Sequence, residues 1–220
     1  MNVYFISGLG ANQKAFQYLS LPEGFTSYFI DWKQPLKNET LQEYTKRMTK
    51  EVDTSKPFIL IGLSFGGIVA QEMNRFIHPE KTILISSIKS RKEMPRLFKF
   101  SSKIAAHKLI PIRFFTNDHF LSYGFFRNIY YIKEKAPDFY SFFTHRDPQY
   151  LRWSIHQIVN WKPTLKIENL YHIHGDQDIV FPHKKLEGKV EMITKGSHIM
   201  IMQRAKAVNE TLNRVLITKT

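Results

Sequence analysis

The sequence predicts an α/β fold built around a parallel sheet. Outside residues 89–166, short β-prone apolar runs alternate along the chain with segments of helical periodicity, which is typical of a parallel sheet covered by helices. The segment Pro57 to Leu63 (PFILIGL) is continuously apolar, as expected for a strand buried on both faces. With 220 residues, of which 43% are hydrophobic and 23% charged, the chain can bury the core of one domain.

Six strands and three helices are predicted outside that segment. The strands are Asn2 to Ile6, Thr26 to Asp31, Pro57 to Leu63, Thr82 to Ser86, Leu170 to His174 and Lys189 to Ile193. Apolar residues at spacings of three and four predict the helices. These run from Glu39 to Val52, from Gly66-Gly67 to near His78-Pro79, and through Ala205, Val208, Leu212 and Val215.

Residues 89–166 break this alternation. They contain helix-like pieces at Arg96 to Leu109, Tyr123 to Lys135 and Pro148 to Val159. They also carry +10 of the formal net charge of +13, and 17 of the 31 aromatic residues. We therefore predict a single domain over residues 1–220, in which this segment forms a helical cap inserted between core strands, over the sheet edge where ligands bind.

Several classes of site and location are excluded or disfavoured by the sequence. The chain has no cysteine, which excludes disulfides, thiolate zinc sites and cysteine nucleophiles. Its longest apolar stretch, Phe58 to Ala70, covers 13 residues and is interrupted by Gly and Ser, whereas a bilayer span needs about 20. The N-terminal residues lack the basic segment and cleavage site of a signal peptide. We expect a cytoplasmic protein without a membrane span.

The residues Gly62-Leu63-Ser64-Phe65-Gly66 match the pattern G-x-S-x-G between a predicted strand and a predicted helix. In that context the serine lies on a strained turn with its hydroxyl exposed, and the flanking glycines let neighbouring backbone pass close by. A serine hydroxyl is a weak nucleophile and needs a positioned base. Ser64 is therefore the predicted nucleophile, and Gly62 and Gly66 are the glycines of its turn.

A base and an acid follow Ser64 along the chain. His198 lies between the last predicted strand and the C-terminal helix, where it can serve as the base. The segment HGDQDIVFP, which begins at His174, offers two carboxylates, Asp176 and Asp178. A carboxylate fixes the tautomer of the base and stabilises the imidazolium. His174 and His172 point to the same side of a strand, but no third ligand at a suitable spacing supports a metal site, and we expect His174 to pack behind the site.

Four motifs in this order resemble the α/β-hydrolase superfamily. They are the glycine turn Ser7-Gly8-Leu9-Gly10 after the first strand, GLSFG, HGDQDIVFP and GSH. The resemblance covers roughly residues 1–88 and 167–220. It implies a mostly parallel sheet of about six strands, with helices on both faces. We expect the family's two N-terminal antiparallel strands to be missing, since the first predicted parallel strand starts beside Met1.

The resemblance also implies roles for individual residues. In the family pattern H-G-x-x-D-x-x-x-P the acid comes three residues after the glycine, which assigns Asp178 rather than Asp176. The backbone N–H groups of Leu9 and Phe65 are assigned to the oxyanion hole. Ser7-Gly8 stands where the family has His-Gly before the oxyanion turn, so this sequence departs from the family at that point.

The implied function is that of a serine hydrolase similar to carboxylesterases and thioesterases, which cleaves an ester or thioester through an acyl-enzyme. The implied chemistry needs no metal or organic cofactor. The basic segment also leads us to expect a substrate with an anionic portion. Two alternatives stay open: a C–C hydrolase or lyase of the menaquinone-pathway type on the same scaffold, and a non-catalytic module that uses the basic segment to bind nucleic acid or a membrane surface. A pure binder has no need of an ordered Ser, Asp and His, so we expect no nucleic-acid partner.

The spacing of the two aspartates gives a test of the acid assignment. We expect Asp178→Asn to lower kcat by about three to four orders of magnitude, because a triad histidine without its carboxylate adopts the wrong tautomer. Asp176→Asn, the matched control, is expected to cost much less. Steady-state hydrolysis of an aryl ester measures both variants, and the reverse ranking would contradict the assignment.

Overall fold

The computed structural model describes residues 1–103 and 139–218, and this part of the chain contains one six-stranded sheet. Its strands are β1 (Asn2–Ile6), β2 (Thr26–Ile30), β3 (Phe58–Leu63), β4 (Lys81–Ile85), β5 (Leu170–Gly175) and β6 (Glu191–Ile193). The strand order is β2-β1-β3-β4-β5-β6, and every neighbouring pair is parallel. The predicted parallel α/β sheet is confirmed, and each predicted strand end lies within two residues of the observed one.

The helices of the described ranges surround this sheet. They are α1 (Leu41–Met48), α2 (Phe65–Met73), α3 (Arg96–Lys103), α4 (Phe139–Phe142), α5 (Pro148–Asn160), α6 (Met200–Gln203) and α7 (Ala205–Ile217). The helix-like piece predicted at Tyr123 to Lys135 lies outside the described residues, as does the end of the piece predicted from Arg96. Among the described helices, none has the length and apolar character needed to cross a membrane.

Helices cover both faces of the sheet. Successive side chains of a strand point to opposite faces, so each face presents apolar side chains that a helix layer can bury. Tyr4 and Ile6 of β1 face a hydrophobic cluster to which α1, α2 and α5 contribute. Val3 and Phe5, on the opposite face, belong to a second cluster with residues of α6 and α7. All six residues of β3 are buried, which explains why this strand is a continuous apolar run rather than an alternating one.

Two helix boundaries show how local hydrogen bonds set the helix ends. α1 begins directly after Thr40, whose side chain accepts from the Glu43 N–H while the Glu43 carboxylate accepts from the Thr40 N–H, a capping box. α2 ends at Met73, earlier than the predicted end near His78-Pro79. Beyond that point the Phe76 N–H donates to the Met73 carbonyl, three residues back, so the chain leaves the α-helix through tighter turns.

The topology brings the sequence motifs to one edge of the sheet. The glycine turn follows β1, the GLSFG turn joins β3 to α2, the HGDQD loop follows β5, and the loop that contains His198 follows β6. Since all six strands are parallel, their carboxyl ends lie at the same edge, which is where ligands bind in open α/β sheets. Residues far apart in sequence therefore meet there.

Candidate active site

Ser64 lies on a strained turn between β3 and α2. Its backbone angles, φ 53° and ψ −116°, place a non-glycine residue at positive φ, which costs about 1–3 kcal/mol. Three hydrogen bonds hold this conformation: the Ser64 N–H donates to the Ile85 carbonyl at 2.9 Å, and the Ser64 carbonyl accepts from the Gly67 N–H at 3.0 Å and from the Ser87 hydroxyl at 2.7 Å. The turn is thus held from β4 as well as from its own helix.

The two glycines of the motif are required by backbone contacts. A Cβ atom on Gly66 would lie 2.2 Å from the carbonyl oxygen of Ile6, in β1. A Cβ atom on Gly62 would lie 2.3 Å from the carbonyl oxygen of Gly66. Both distances are far below van der Waals contact, so only glycine lets α2 start this close to β1 and β3. The positions of the two glycines in the G-x-S-x-G motif therefore have a steric cause.

The structure brings Ser64, His198 and Asp178 together. The Ser64 Oγ lies 2.9 Å from the His198 Nε2, and the His198 Nδ1 lies 2.8 Å from the Asp178 Oδ2. An ionised carboxylate only accepts hydrogen bonds, so the proton of neutral His198 is on Nδ1. The lone pair on Nε2 is then directed at the serine hydroxyl, which is the arrangement that a general base requires.

Asp178 is a fully buried carboxylate with its oxygens occupied. Its Oδ1 accepts from the N–H groups of Val180 at 2.8 Å and Phe181 at 2.9 Å, while Oδ2 faces His198 and His174. Burial acts to raise the pKa of Asp178, but the charge of His198 and the hydrogen bonds from both histidines outweigh it and hold that pKa well below its ordinary value. The carboxylate is therefore ionised at neutral pH.

Close packing of two glycines couples the loop of Asp178 to the loop of His198. A Cβ atom on Gly175 would lie 2.1 Å from the carbonyl oxygen of Gly196. The same carbonyl accepts from the N–H of Gln177 at 2.8 Å. Hence Asp178 and His198 are positioned relative to each other by backbone contacts as well as by their own hydrogen bond.

The glycine turn after β1 lies against Ser64. A Cβ atom on Gly8 would lie 3.5 Å from the Cβ of Ser64, and the Trp32 indole N–H donates to the Gly8 carbonyl at 3.0 Å, which fixes the turn. Within the described ranges, no hydrogen bond joins the N–H of Leu9 or of Phe65 to another residue. Both N–H groups remain available to a ligand, and their role in an oxyanion hole stays a prediction.

A cavity of about 500 Å³ opens beside the Ser64 and His198 side chains. Its walls are mostly apolar and come from the core as well as from residues 89–166. The residues from that segment include Leu97, Phe98, Phe142, Leu151, Ile155 and Ile158. Polar groups at its wall include His145 and Arg146. An apolar cavity with a few polar groups at one place is typical of a site for a small organic ligand.

Two further functional candidates are His174 and His172, whose contacts could not be predicted from the sequence. The Nε2 of His174 lies 3.2 Å from the Asp178 Oδ2, so this ring contacts the acid instead of only packing behind it. The Nδ1 of His174 lies 3.1 Å from the Nε2 of His172. Their position two residues apart on one strand was visible in the sequence, but the loop conformation that brings Asp178 to them was not.

Asp176 and a metal site, the other possibilities raised by the sequence, are not part of this hydrogen-bond chain. Asp176 makes no hydrogen bond to His198, and its buried Oδ1 has no partner among the described residues. In those same ranges no group of three His, Asp or Glu side chains is arranged to hold a metal ion. The structure thus joins Asp178, rather than Asp176, to the histidine that follows β6.

Solved structures provide the comparison with known proteins. No protein-family model matches the sequence, and no curated protein matches it either. Similar structures include a hydrolase from Pseudomonas aeruginosa (TM-score 0.74, 17% identity, 99% of this chain and 90% of that chain) and an epoxide hydrolase from Bacillus megaterium (TM-score 0.70, 14% identity, 99% and 93%). A thermophilic esterase from Thermogutta terrifontis is also similar (TM-score 0.69, 15% identity, 98% and 89%).

These similarities extend over almost the whole of this chain and over most of each compared chain. The compared proteins share a mostly parallel sheet with helices on both sides, as described above. At identities of 14–17% the similarity concerns the fold, and the chemistry has to be argued from the site. The chain has the α/β-hydrolase fold.

Proposed function

We propose that the protein is a serine hydrolase that cleaves a carboxylic ester or thioester through an acyl-enzyme on Ser64. The observation that carries this proposal is the hydrogen-bond chain from Ser64 through His198 to buried Asp178, at the wall of an apolar cavity. Structural neighbours described as an esterase and as hydrolases support the same class of reaction.

In the first step the Ser64 oxygen attacks the acyl carbon of the substrate. The Nε2 of His198 accepts the hydroxyl proton during the attack, and the resulting imidazolium is stabilised by the ionised Asp178. The carbonyl oxygen of the substrate becomes an oxyanion, to which the N–H groups of Leu9 and Phe65 donate. These donors lie in the turn beside Ser64 and at the N-terminus of α2, where the helix dipole also favours negative charge.

In the second step His198 returns its proton to the leaving alcohol or thiol, and the acyl group stays on Ser64. A water molecule then takes the place of the leaving group, gives a proton to His198 and attacks the acyl carbon. Collapse of this second tetrahedral intermediate releases the acid and restores the Ser64 hydroxyl. The cycle uses side chains and backbone N–H groups of this chain alone.

The acyl portion of the substrate is proposed to occupy the cavity beside Ser64. Apolar side chains from α3 and α5, such as Phe98 and Ile158, form part of its wall. Each buried methylene group contributes about 0.8 kcal/mol, so a medium-length chain gains affinity there. By this proposal residues 89–166 act as the cap, and they supply the surface that selects the acyl group.

The nucleophile is tested by covalent labelling. A fluorophosphonate is expected to modify wild-type protein once per chain, at Ser64, because His198 activates that hydroxyl. Ser64→Ala is expected to remove both labelling and ester turnover. Intact-mass spectrometry and peptide mapping measure the modification. Labelling that persists in Ser64→Ala, or that maps to another serine such as Ser87, would contradict the assignment.

The acyl pocket is tested with a series of aryl esters of increasing chain length. We expect kcat/KM to rise by up to about fourfold per added methylene until the cavity is filled, the factor that corresponds to burial of one methylene. Ile158→Trp narrows the cavity and is expected to move the preference to shorter chains. Arg152→Trp, at an exposed position of the same helix, is the control. If both variants keep the wild-type preference, the acyl group binds elsewhere.

We also propose that the substrate carries a negative charge. The cap segment, residues 89–166, holds most of the net charge of the chain. Among the described residues that line the cavity, Arg146 is the one with a cationic Lys or Arg side chain. Cations near a site raise the local concentration of anionic substrates, an effect that salt screens. An ester with a carboxylate, or a coenzyme A thioester, fits this combination of an apolar cavity and a cationic surface.

This charge preference is tested with matched neutral and anionic esters of one acyl chain. We expect kcat/KM for the anionic ester to fall several-fold between low and high ionic strength, with little change for the neutral ester. Arg146→Gln is expected to reduce the preference, whereas Arg152→Gln, which removes a cation outside the cavity, is the control. Equal values for both esters at every salt concentration would leave the basic segment without a role in substrate binding.

A further inference from the structure

We propose that His174 is a positioning residue for the acid Asp178, anchored in turn by His172; this inference rests on the proposed function. The observation behind it is a continuous line of side-chain contacts. It runs from Ser64 through His198 to Asp178, and from there through His174 to His172. The first three members perform the proposed chemistry, and the last two are buried behind them.

The contacts of His174 determine where its proton lies. Its Nε2 is 2.8 Å from the carbonyl oxygen of Phe181 and 3.2 Å from the Asp178 Oδ2. Both neighbours only accept hydrogen bonds, so Nε2 carries a proton that the two oxygens share. The side chain is completely buried, and water therefore does not compete for this donor.

His172 completes the arrangement on the other side. Its Nε2 lies 3.1 Å from the Nδ1 of His174, and the His172 ring is almost completely buried. Burial, the main cause, lowers the pKa of His172 well below its ordinary value, so this ring is uncharged at neutral pH. A neutral His172 with its proton on Nε2 donates to the Nδ1 of His174, which fixes the tautomer and the plane of that ring.

The two histidines transmit the rigidity of the sheet to the acid. Both lie on β5, which is paired with β4 on one side and with β6 on the other. Asp178 lies on the loop beyond β5, outside the strand pairing of the sheet. The His174 Nε2 contacts both the Phe181 carbonyl oxygen and the Asp178 Oδ2. It therefore fixes this loop to the sheet at the oxygen that also contacts His198. Small shifts of that oxygen would turn the His198 ring away from Ser64.

His174→Phe and His174→Gln test this role together. Phenylalanine keeps the ring and removes the donor, while glutamine keeps an N–H donor near the same place. We expect His174→Phe to lower kcat about 10- to 100-fold, the range for loss of a hydrogen bond to a charged group, with KM within about twofold of wild type. His174→Gln is expected to recover at least about a third of the lost activity on a logarithmic scale. His78→Phe, the same change at an exposed position, is the control.

A spectroscopic measurement separates positioning from general damage. In protein with ¹⁵N-labelled histidine, we expect His174 to be the neutral tautomer with its proton on Nε2, and the His198 Nδ1 proton to resonate far downfield. That resonance is expected to shift in His174→Phe and to stay unchanged in His78→Phe. If His174→Phe does not fold, the tautomer in the wild-type protein still decides: a proton on Nδ1 of His174 would overturn the proposal.

The outcomes also distinguish this inference from the proposed function. Wild-type protein that fails to react with a fluorophosphonate and fails to hydrolyse any ester contradicts the proposed function, whatever the state of His174. Wild-type protein that reacts, together with His174→Phe that turns over at the wild-type rate, overturns the positioning role alone. If His174→Gln and His174→Phe are equally impaired, and both raise KM while kcat stays unchanged, the positioning role is likewise overturned.

Discussion

The buried charge of Asp178 is the constraint on which the rest of the site depends. Moving a carboxylate out of water costs several kcal/mol unless hydrogen bonds and an opposite charge replace its hydration. Here two backbone N–H groups satisfy one oxygen, and His198 and His174 face the other. The turn Asp178 to Phe181 is thus folded around its own carboxylate. The same charge sets the tautomer of His198 and so directs a lone pair at Ser64.

The sheet makes this arrangement possible by bringing backbone segments closer than side chains would allow. Glycines stand where α2 approaches β1 and where the loop after β5 approaches the loop after β6. In both places a methyl group would overlap a carbonyl oxygen, and the backbone that carries Ser64 or Asp178 would have to shift. A proton transfer tolerates only small displacements of the groups involved. Gly66 and Gly175 are therefore needed for the relative positions of Ser64, Asp178 and His198.

The sequence was sufficient to predict the fold class and the residues that meet at the edge of the sheet. Ser64, Asp178 and His198 lie in short motifs whose residue types are determined by local requirements. These are a positive φ, a close approach of backbone segments, and a position in a loop that follows a parallel strand. The partner of His174 was not predictable in this way. Period-two alternation gives the side of the strand to which a residue points, but its neighbour there belongs to a loop whose path depends on tertiary hydrogen bonds. The end of α2 was predicted too late for a similar reason, since apolar periodicity continues beyond Met73 while the hydrogen bonding changes.

The cavity shows why the fold and the candidate catalytic residues do not determine a substrate. The hydrogen-bond chain from Ser64 to Asp178 uses the core alone, whereas much of the cavity wall comes from α3 and α5, between β4 and β5. Phe98 packs edge-on against Phe181, which in turn packs edge-on against His198. Phe181 also donates its N–H to Asp178 and accepts from His174 through its carbonyl. Phe181 thus contacts residues of α3, of the loops after β5 and β6, and of β5 itself. Under the proposed function, a substrate that displaces Phe98 would act on the same residue that donates to the carboxylate of Asp178.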